Sequence, residues 1–362
     1  MNILFIADPN SIHDVKWMTW FAEQDNYNCF LLAREIHLPA KTPKNIKLLG
    51  SLKNYSVFKP YSNIAESKRI NALLNKYNID LVHIYYAEPN VLWANKIKSP
   101  IVLTTRGSDV LVALKQFKES GKLKDKFLLK AYQKAFLKCN AIVSTSQKQL
   151  DFLTTNFLIK AKCHVVRTGV DIDNIQPLAK NRDIVLFPRN MQPLYNHELA
   201  IKALLNLPKK CIETHEFVFV NKNSSNLAYV SKIKTLIENT KLKNIRFIDS
   251  LKGIDYYNML AQSKLVVMTP SSDGAPVSAM ETIATGVPIV LPDLDYDTDL
   301  FNTAYFYEKN NELALTNAIL KGLKTTTSIV NLQNYKTKID RKIEMKKIEV
   351  VYHEILSKGN EK

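Results

Sequence analysis

Acid and cysteine are both scarce in this chain. Its 362 residues include 34 Asp and Glu against 50 Lys and Arg, a formal net charge of +16. The four cysteines (Cys29, Cys139, Cys163, Cys211) are scattered and form no Cys-x-x-Cys pair. That argues against a zinc site or a disulfide framework and fits a reducing compartment. No apolar run approaches the roughly 18–20 residues needed to span a bilayer. The start, MNILFIADPN, has no basic leader, and its apolar run is too short for a secretory signal. The expectation is a cytoplasmic protein. There is no P-loop, no Gly-x-Gly-x-x-Gly and no Gly-x-Ser-x-Gly. Internal repeats and low-complexity tracts are also missing.

The surplus of base is mostly Lys, and Asn and Ile are abundant beside it. Two origins fit: attraction to an anionic partner, or the drift of an AT-rich genome. No arrangement of basic and aromatic residues names a nucleic-acid module, so no nucleic-acid partner is expected.

What is present is alternation. A length of 362 exceeds one typical core, so two domains are the default. Short β-branched runs at Asn2–Ala7, Tyr27–Leu32, Asp80–Ile84, Pro100–Thr104, Ala141–Thr145 and His164–Arg167 alternate with helical patterns such as Val15–Gln24, Lys68–Lys76 and Asp125–Lys138. The series restarts at Asp183–Pro188 and continues through Phe217–Val220, Ile245–Ile248, Leu265–Thr269 and Pro288–Leu291, with Glu198–Leu205 as a helix. Such βαβ alternation predicts parallel sheets covered by helices on both faces. The break at RTGVDIDNIQPLAKNRD carries Gly, Pro and Asp without periodicity and reads as a linker. The spacing therefore predicts an α/β protein of two Rossmann-like, doubly wound domains facing across a cleft. These are residues 1–170 and 183–335, joined by 171–182. The charged helical segment 336–362 follows and is expected to pack outside, with a return to the first domain as one option.

The richest stretch is SSDGAPVSAMETIATGVPIVLP, Ser271–Pro292. Pro276 suits the start of a helix, and Gly286 with Pro288 suits its end. A helix over Pro276–Thr285 has free N–H groups near Gly274–Ser278, which suit an anion. Asp273 precedes that terminus and Glu281 lies about a turn and a half inside. Carboxylates there cannot bind phosphate, but they accept hydrogen bonds from sugar hydroxyls. On these residues alone, a helix-capping Asp and a solvated Glu fit equally well.

This segment resembles the signature of the retaining glycosyltransferases of the GT-B fold, in particular glycosyltransferase family 4. Two acids stand eight positions apart around a small-residue helix. The resemblance implies that Glu281 holds the ribose of a nucleotide sugar and that Asp273 lies by the donor hexose. It puts the backbone of Gly274, Ala275 and Pro276 against sugar and diphosphate. DIVLFPRNMQPLYNHELAIKAL resembles the start of the second domain, where an Arg and a Lys grip the diphosphate. Arg189 matches the Arg, while the usual Lys-Gly aligns with Tyr195-Asn196. VRTGVDIDNIQP resembles the Asn-Gly-Val-Asp linker, with Thr168 for Asn. IRFIDSLKGIDYYNMLAQSKLVVMTPSSDG resembles the approach to the signature, with Ile248–Asp249 near the base.

The first domain resembles the family too, through DPNSIHDVKWMTWFA, IDLVHIYYAEPN and PIVLTTRGSDVL. The last places Arg106 where many members carry a His beside the donor sugar. That implies a phosphate or acceptor contact for Arg106. His13, His83 and Asp109 fall in acceptor-side segments, and a purely structural role is the other reading for each His. Catalytic candidates are thus Asp273, Arg189 and Arg106. Donor-binding candidates are Glu281, Gly274, Ala275, Pro276 and Asn196. Similarity covers roughly residues 1–300, and its weight lies in the order of the segments.

The implied activity is transfer of a hexose-like sugar from a nucleotide sugar to an acceptor hydroxyl, with retention. The acceptor would be a sugar, polysaccharide or lipid-linked precursor, in cell-surface polysaccharide or glycolipid synthesis. No cofactor and no metal are implied: the Asp-x-Asp runs Asp171–Asp173 and Asp293–Asp299 read as turn acids. Two alternatives stay open, a sugar-nucleotide epimerase of the same fold and a non-catalytic sugar-nucleotide binder. Finally, Leu114–Asn140 is dense in Lys, with Phe127, Leu128, Ala131, Ala135 and Phe136 at helical spacing. That pattern fits a solvated Lys face over a buried stripe. It also fits peripheral contact with anionic lipid at the inner face of a membrane.

Overall fold

The computed structural model describes residues 1–34, 43–179, 182–221, 226–240, 242–249, 251, 253–294, 296–325 and 332–357. Position 295, within the second acidic run, lies outside them. The chain divides into two compact units. One comprises Met1–Thr168 with the C-terminal segment from Lys342, and the other is Gly169–Arg341.

The first unit is built on a seven-stranded sheet. Its strands are β1 Asn2–Ile6, β2 Asn28–Ala33, β3 Ile46–Ser51, β4 Leu81–Tyr85, β5 Ile101–Thr105, β6 Ala141–Ser144 and β7 Lys162–Val165. Their order is β3-β2-β1-β4-β5-β6-β7, and every pairing is parallel. Alternation sorts the side chains. Leu4, Ile6, Val82 and Ile84 enter one core. Ile3, Phe5, Leu81 and Tyr85 enter the other. Burial on both faces is what a parallel sheet requires, and it explains the uninterrupted apolar runs.

The second unit has six strands: β8 Ile184–Phe187, β9 Glu216–Val220, β10 Ile245–Ile248, β11 Ser263–Val267, β12 Ile289–Pro292 and β13 Tyr305–Tyr307. They are parallel, in the order β10-β9-β8-β11-β12-β13. In each sheet the chain order reverses once, between β1 and β4 and between β8 and β11. Open α/β sheets hold ligands outside the carboxyl ends of the strands at such a reversal.

The C-terminal segment is two helices, not one. Leu332–Ile339 stays with the second unit, burying Tyr335 and Ile339. Arg341–Ser357 lays Met345, Ile348, Val351 and Tyr352 on the first unit's sheet. Trp20 Nε1 and Gln24 Nε2 both donate to Glu349 Oε1, at 2.7 and 3.0 Å. At the boundary, Val170 N donates to Ile339 O (2.8 Å) and Arg341 N to Val170 O (3.0 Å). Gly169 sits there at φ +75°, and a Cβ on it would stand 2.5 Å from Arg341 Cα. Asp171, from the first acidic run, is ion-paired with Arg341 at 2.5 Å. Among the described residues, no helix is long and apolar enough to cross a membrane.

Candidate active site

The second unit brings Arg189 and Asp273 together on the loops that follow β8 and β11. After β11 the chain runs through Asp273 to the helix Val277–Thr285. Pro276 is its N-cap (φ −65°, ψ 114°), so the helix begins one residue later than the expected start at Pro276. Gly286 closes it in the left-handed conformation (φ 85°). Arg189 follows β8 and reaches across to this terminus. Its Nη1 donates to Ser278 Oγ (3.1 Å) and its Nη2 to Tyr195 Oη (2.7 Å). The guanidinium lies 4.2 Å from the Tyr195 ring centroid. Nη2 is also 3.1 Å from Asp273 Oδ2 in an ion pair, while Asp273 Oδ1 accepts from Gly274 N (2.9 Å). Burial raises the Asp273 carboxyl above its ordinary value, partly offset by Arg189 and the Gly274 N–H. Burial opposes the charge on Arg189, but Asp273 and Tyr195 outweigh it and hold the guanidinium protonated.

The supporting shell is polar and tight. Thr269 Oγ1 donates to Tyr195 O (2.7 Å) and Ser271 N to Leu194 O (2.8 Å), tying the loop after β8 to the loop that carries Asp273. Asn196 takes the left-handed conformation (φ 44°, ψ 51°), and its Nδ2 donates to Asn310 Oδ1 at 3.4 Å. An Asn tolerates there what otherwise asks for Gly, which accounts for Asn at the position aligned with the usual Gly. His197 Nε2 meets Arg189 O at 3.2 Å, and burial pushes its imidazole down to about 4.

Glu281 is not a solvated acid. It is 7% exposed, and its Oε1 accepts from Tyr257 Oη at 3.0 Å. Tyr256 and Tyr257 come from the helix Ile254–Gln262. Burial first, and Glu281 second, push both phenols up. The arrangement brings Arg189, Asp273 and the Gly274–Pro276 backbone into one cluster. Tyr195 and Ser278 complete it through Arg189, while Tyr257 holds Glu281. The motif gives no role to these three: Ser278 and Tyr257 act through partners 89 and 24 positions away, and Tyr195 stands where the motif has its Lys.

The first unit handles its candidates differently. Arg106 follows β5, but its side chain is only 6% exposed and points inward. Its Nη2 is 3.1 Å from Asp14 Oδ1, and the guanidinium lies 4.3 Å from the Trp17 ring and 4.9 Å from Tyr85. Burial pushes the Asp14 carboxyl up to about 6, against the pull of Arg106. Arg106 thus holds helix Ile12–Ala22 to the sheet, and the expected outward contact does not fit its burial. Asp109 is likewise internal. One oxygen accepts from Ala87 N (2.7 Å), the other from Arg106 N (3.0 Å) and Gly107 N (2.8 Å). His83 is fully buried on the β4 face that meets Tyr352. Its Nδ1 is hydrogen-bonded to Tyr352 Oη and its Nε2 to Thr104 Oγ1 (2.7 Å). Both ring nitrogens are used, so His83 is a core group and not an acceptor contact. His13 is exposed, and its carbonyl accepts from Arg106 Nη2 at 3.5 Å. A cleft of about 260 Å³ opens at the carboxyl ends of β1, β2 and β4, with Asp8, Arg34, Tyr86, Glu88 and Asn90 among its walls.

Similarity to known proteins agrees with this architecture. Residues 2–146 match the family model for glycosyl transferase 4-like domains, and residues 171–338 match that for glycosyl transferases group 1. No curated protein sequence matches the chain. Among solved structures, a glycosyltransferase from Rickettsia africae is 19% identical, with 98% of each chain covered and a TM-score of 0.77. HepE of Anabaena, solved with UDP and glucose, is 15% identical over 98% of this chain and 100% of its own, with a TM-score of 0.73. WaaG, a glycosyltransferase of lipopolysaccharide biosynthesis, is 13% identical over 97% and 99%, with a TM-score of 0.71. At such identities the likeness shows the fold. With a matching family model on each half, the chain belongs to the family 4-type, group 1 glycosyltransferases of the GT-B fold.

Proposed function

We propose that this protein transfers a sugar from a nucleotide-sugar donor to an acceptor hydroxyl with retention at the anomeric carbon. The second unit holds the donor and the first unit the acceptor. The observation that carries the reading is Arg189 set at the N-terminus of helix Val277–Thr285, 3.1 Å from Ser278 Oγ and beside Asp273. A departing diphosphate needs preorganised positive charge. The guanidinium and the positive end of the helix dipole supply it. Glu281, held by Tyr257, is the ribose acceptor of hydrogen bonds, and Asp273 meets the donor sugar. HepE's complexes with UDP and with UDP-glucose support a nucleotide-sugar donor. The place of WaaG in lipopolysaccharide synthesis supports a role in a cell-surface glycan.

A thermal-shift panel of UDP-, GDP- and ADP-sugars tests the donor class, since a ligand that binds only the folded state raises its stability. Turnover with the responding donor then tests the site. Arg189→Ala is expected to lose about 100-fold or more in kcat, the scale of a lost transition-state donor, and Glu281→Ala to raise the donor KM. Near-normal turnover in both variants sinks the assignment. The anomeric configuration of the product, read by NMR, tests retention. A new free sugar nucleotide formed without acceptor would mean epimerisation instead.

A further inference from the structure

We propose that one outward face of the first unit docks on an anionic lipid surface. The face has two parts, and only one lies in the Lys-rich segment. Helix Leu123–Phe136 buries Tyr132, Ala135 and Phe136. Its opposite face carries Leu123 and Phe127, 71% and 51% exposed. Positions 123, 127, 130 and 134 share one face at helical spacing, so Lys130 and Lys134 flank these apolar groups, with Lys126 beside them. Phe127 therefore faces outward and is not part of the buried stripe expected from its spacing. The second part is the turn Pro60–Ser62 and its flanks. There Phe58, Tyr61 and Ile64 are 51%, 69% and 52% exposed. Lys124 Nζ stands 5.6 Å from the Phe58 ring centroid, which joins the two parts, and Lys130 Nζ stands 5.9 Å from that of Phe127.

The composition selects the partner. Exposed Phe, Leu, Ile and Tyr suit the boundary between headgroups and acyl chains. Lysines on the same face reach anionic headgroups along their apolar stems. Asp125, the acid of this helix, lies off the face and accepts from Ser120 Oγ at 2.5 Å. Attraction to an anionic surface contributes about fivefold in binding per lysine, and apolar insertion roughly tenfold per large side chain. An acceptor carried on lipid would then be met at the surface where it resides. Docking itself does not depend on the transfer reading.

The full chain is sedimented with vesicles of phosphatidylcholine alone or mixed with phosphatidylglycerol, at low and high salt. Retention is expected on the phosphatidylglycerol vesicles and not on phosphatidylcholine alone. Phe58→Ser/Phe127→Ser should lower it at least tenfold, and Lys126→Gln/Lys130→Gln/Lys134→Gln by roughly a hundredfold. The charge-matched control Lys202→Gln/Lys209→Gln/Lys210→Gln, at exposed positions of the second unit, should keep it. Thermal unfolding of each variant confirms the fold. No retention at low salt overturns the proposal. So does equal weakening by the control triple, which would assign binding to the net charge of +16. A concentration-dependent dimer that Phe58→Ser/Phe127→Ser abolishes, seen by light scattering without vesicles, would make the face a protein interface and overturn it too.

Discussion

Asp14 should make the first unit more stable as the pH falls. Its carboxyl is fully buried beside Arg106 and Asp8 and is pushed from 3.8 up to about 6. The folded state therefore holds a proton between those values that the unfolded chain has released. Stability then falls as pH rises through the window and levels off above pH 6. A window about two pH units wide, at about 1.4 kcal/mol per unit, sets the whole effect near 3 kcal/mol. Between pH 7 and pH 5 the share is about 1.4 kcal/mol. The perturbation is Asp14→Asn, which keeps the shape and an oxygen for Arg106 but cannot titrate. The chain's three tryptophans, Trp17, Trp20 and Trp93, all lie in the first unit, and Trp17 packs on Arg106. Urea unfolding followed by tryptophan fluorescence thus reports this unit. Other carboxylates titrate alike in both proteins and cancel in the difference. Wild type minus variant should grow by about 1 kcal/mol on going from pH 7 to pH 5. A constant difference refutes the argument. A difference that shrinks on acidification would show that Arg106 outweighs burial and reverses the sign.

Tyr352→Phe leaves the buried His83 Nδ1 without its partner and should cost about 1–3 kcal/mol in the same unfolding assay. Gly169→Ala combines left-handed strain with a backbone clash at Arg341, so it should cost roughly 2–4 kcal/mol and lower the melting temperature by several degrees. Tyr195→Phe keeps the ring under Arg189 and removes one hydrogen bond. A rise of about fivefold in donor KM is expected, with steady-state kinetics as the check. Asp273→Asn removes the carboxylate that pairs with Arg189, so calorimetry should find UDP bound more tightly, by up to about tenfold, while sugar transfer falls; weaker UDP binding would contradict the pairing argument.

How much of this was legible in the sequence depends on where each residue sits in the sheet. The central strands are buried on both faces and announce themselves as apolar runs. β3 and β13, which the β-branched pattern does not reveal, are edge strands. Their sequences, IKLLGS and YFY, show why: one is half-exposed and the other is three residues long. The two-helix C-terminus was hidden for another reason. Its division at Asp340 is set by a contact with Val170, some 170 positions earlier.

The site shows the same limit at the level of single groups. Motif spacing identifies Arg189, Asp273 and Glu281 as the residues to watch, and the fold brings Arg189 and Asp273 together as an ion pair. That pairing was not legible, because the motif lists both as ligands of a donor and says nothing of their relation to each other. Nor could it say what stands at the absent Lys. Tyr195 brings no second cation; it stacks beneath Arg189 and accepts its hydrogen bond. In the proposed reaction a diphosphate would meet one guanidinium, already oriented by Tyr195 and Ser278 and already ion-paired with Asp273. A donor bound there would have to take over part of that ion pair. A carboxylate raised by burial and only partly offset by its partner is a weak competitor for the guanidinium. On the proposed reading, the short Asp at this position therefore does two things: it holds Arg189 in place through their ion pair, and it would yield Arg189 to a doubly charged leaving group.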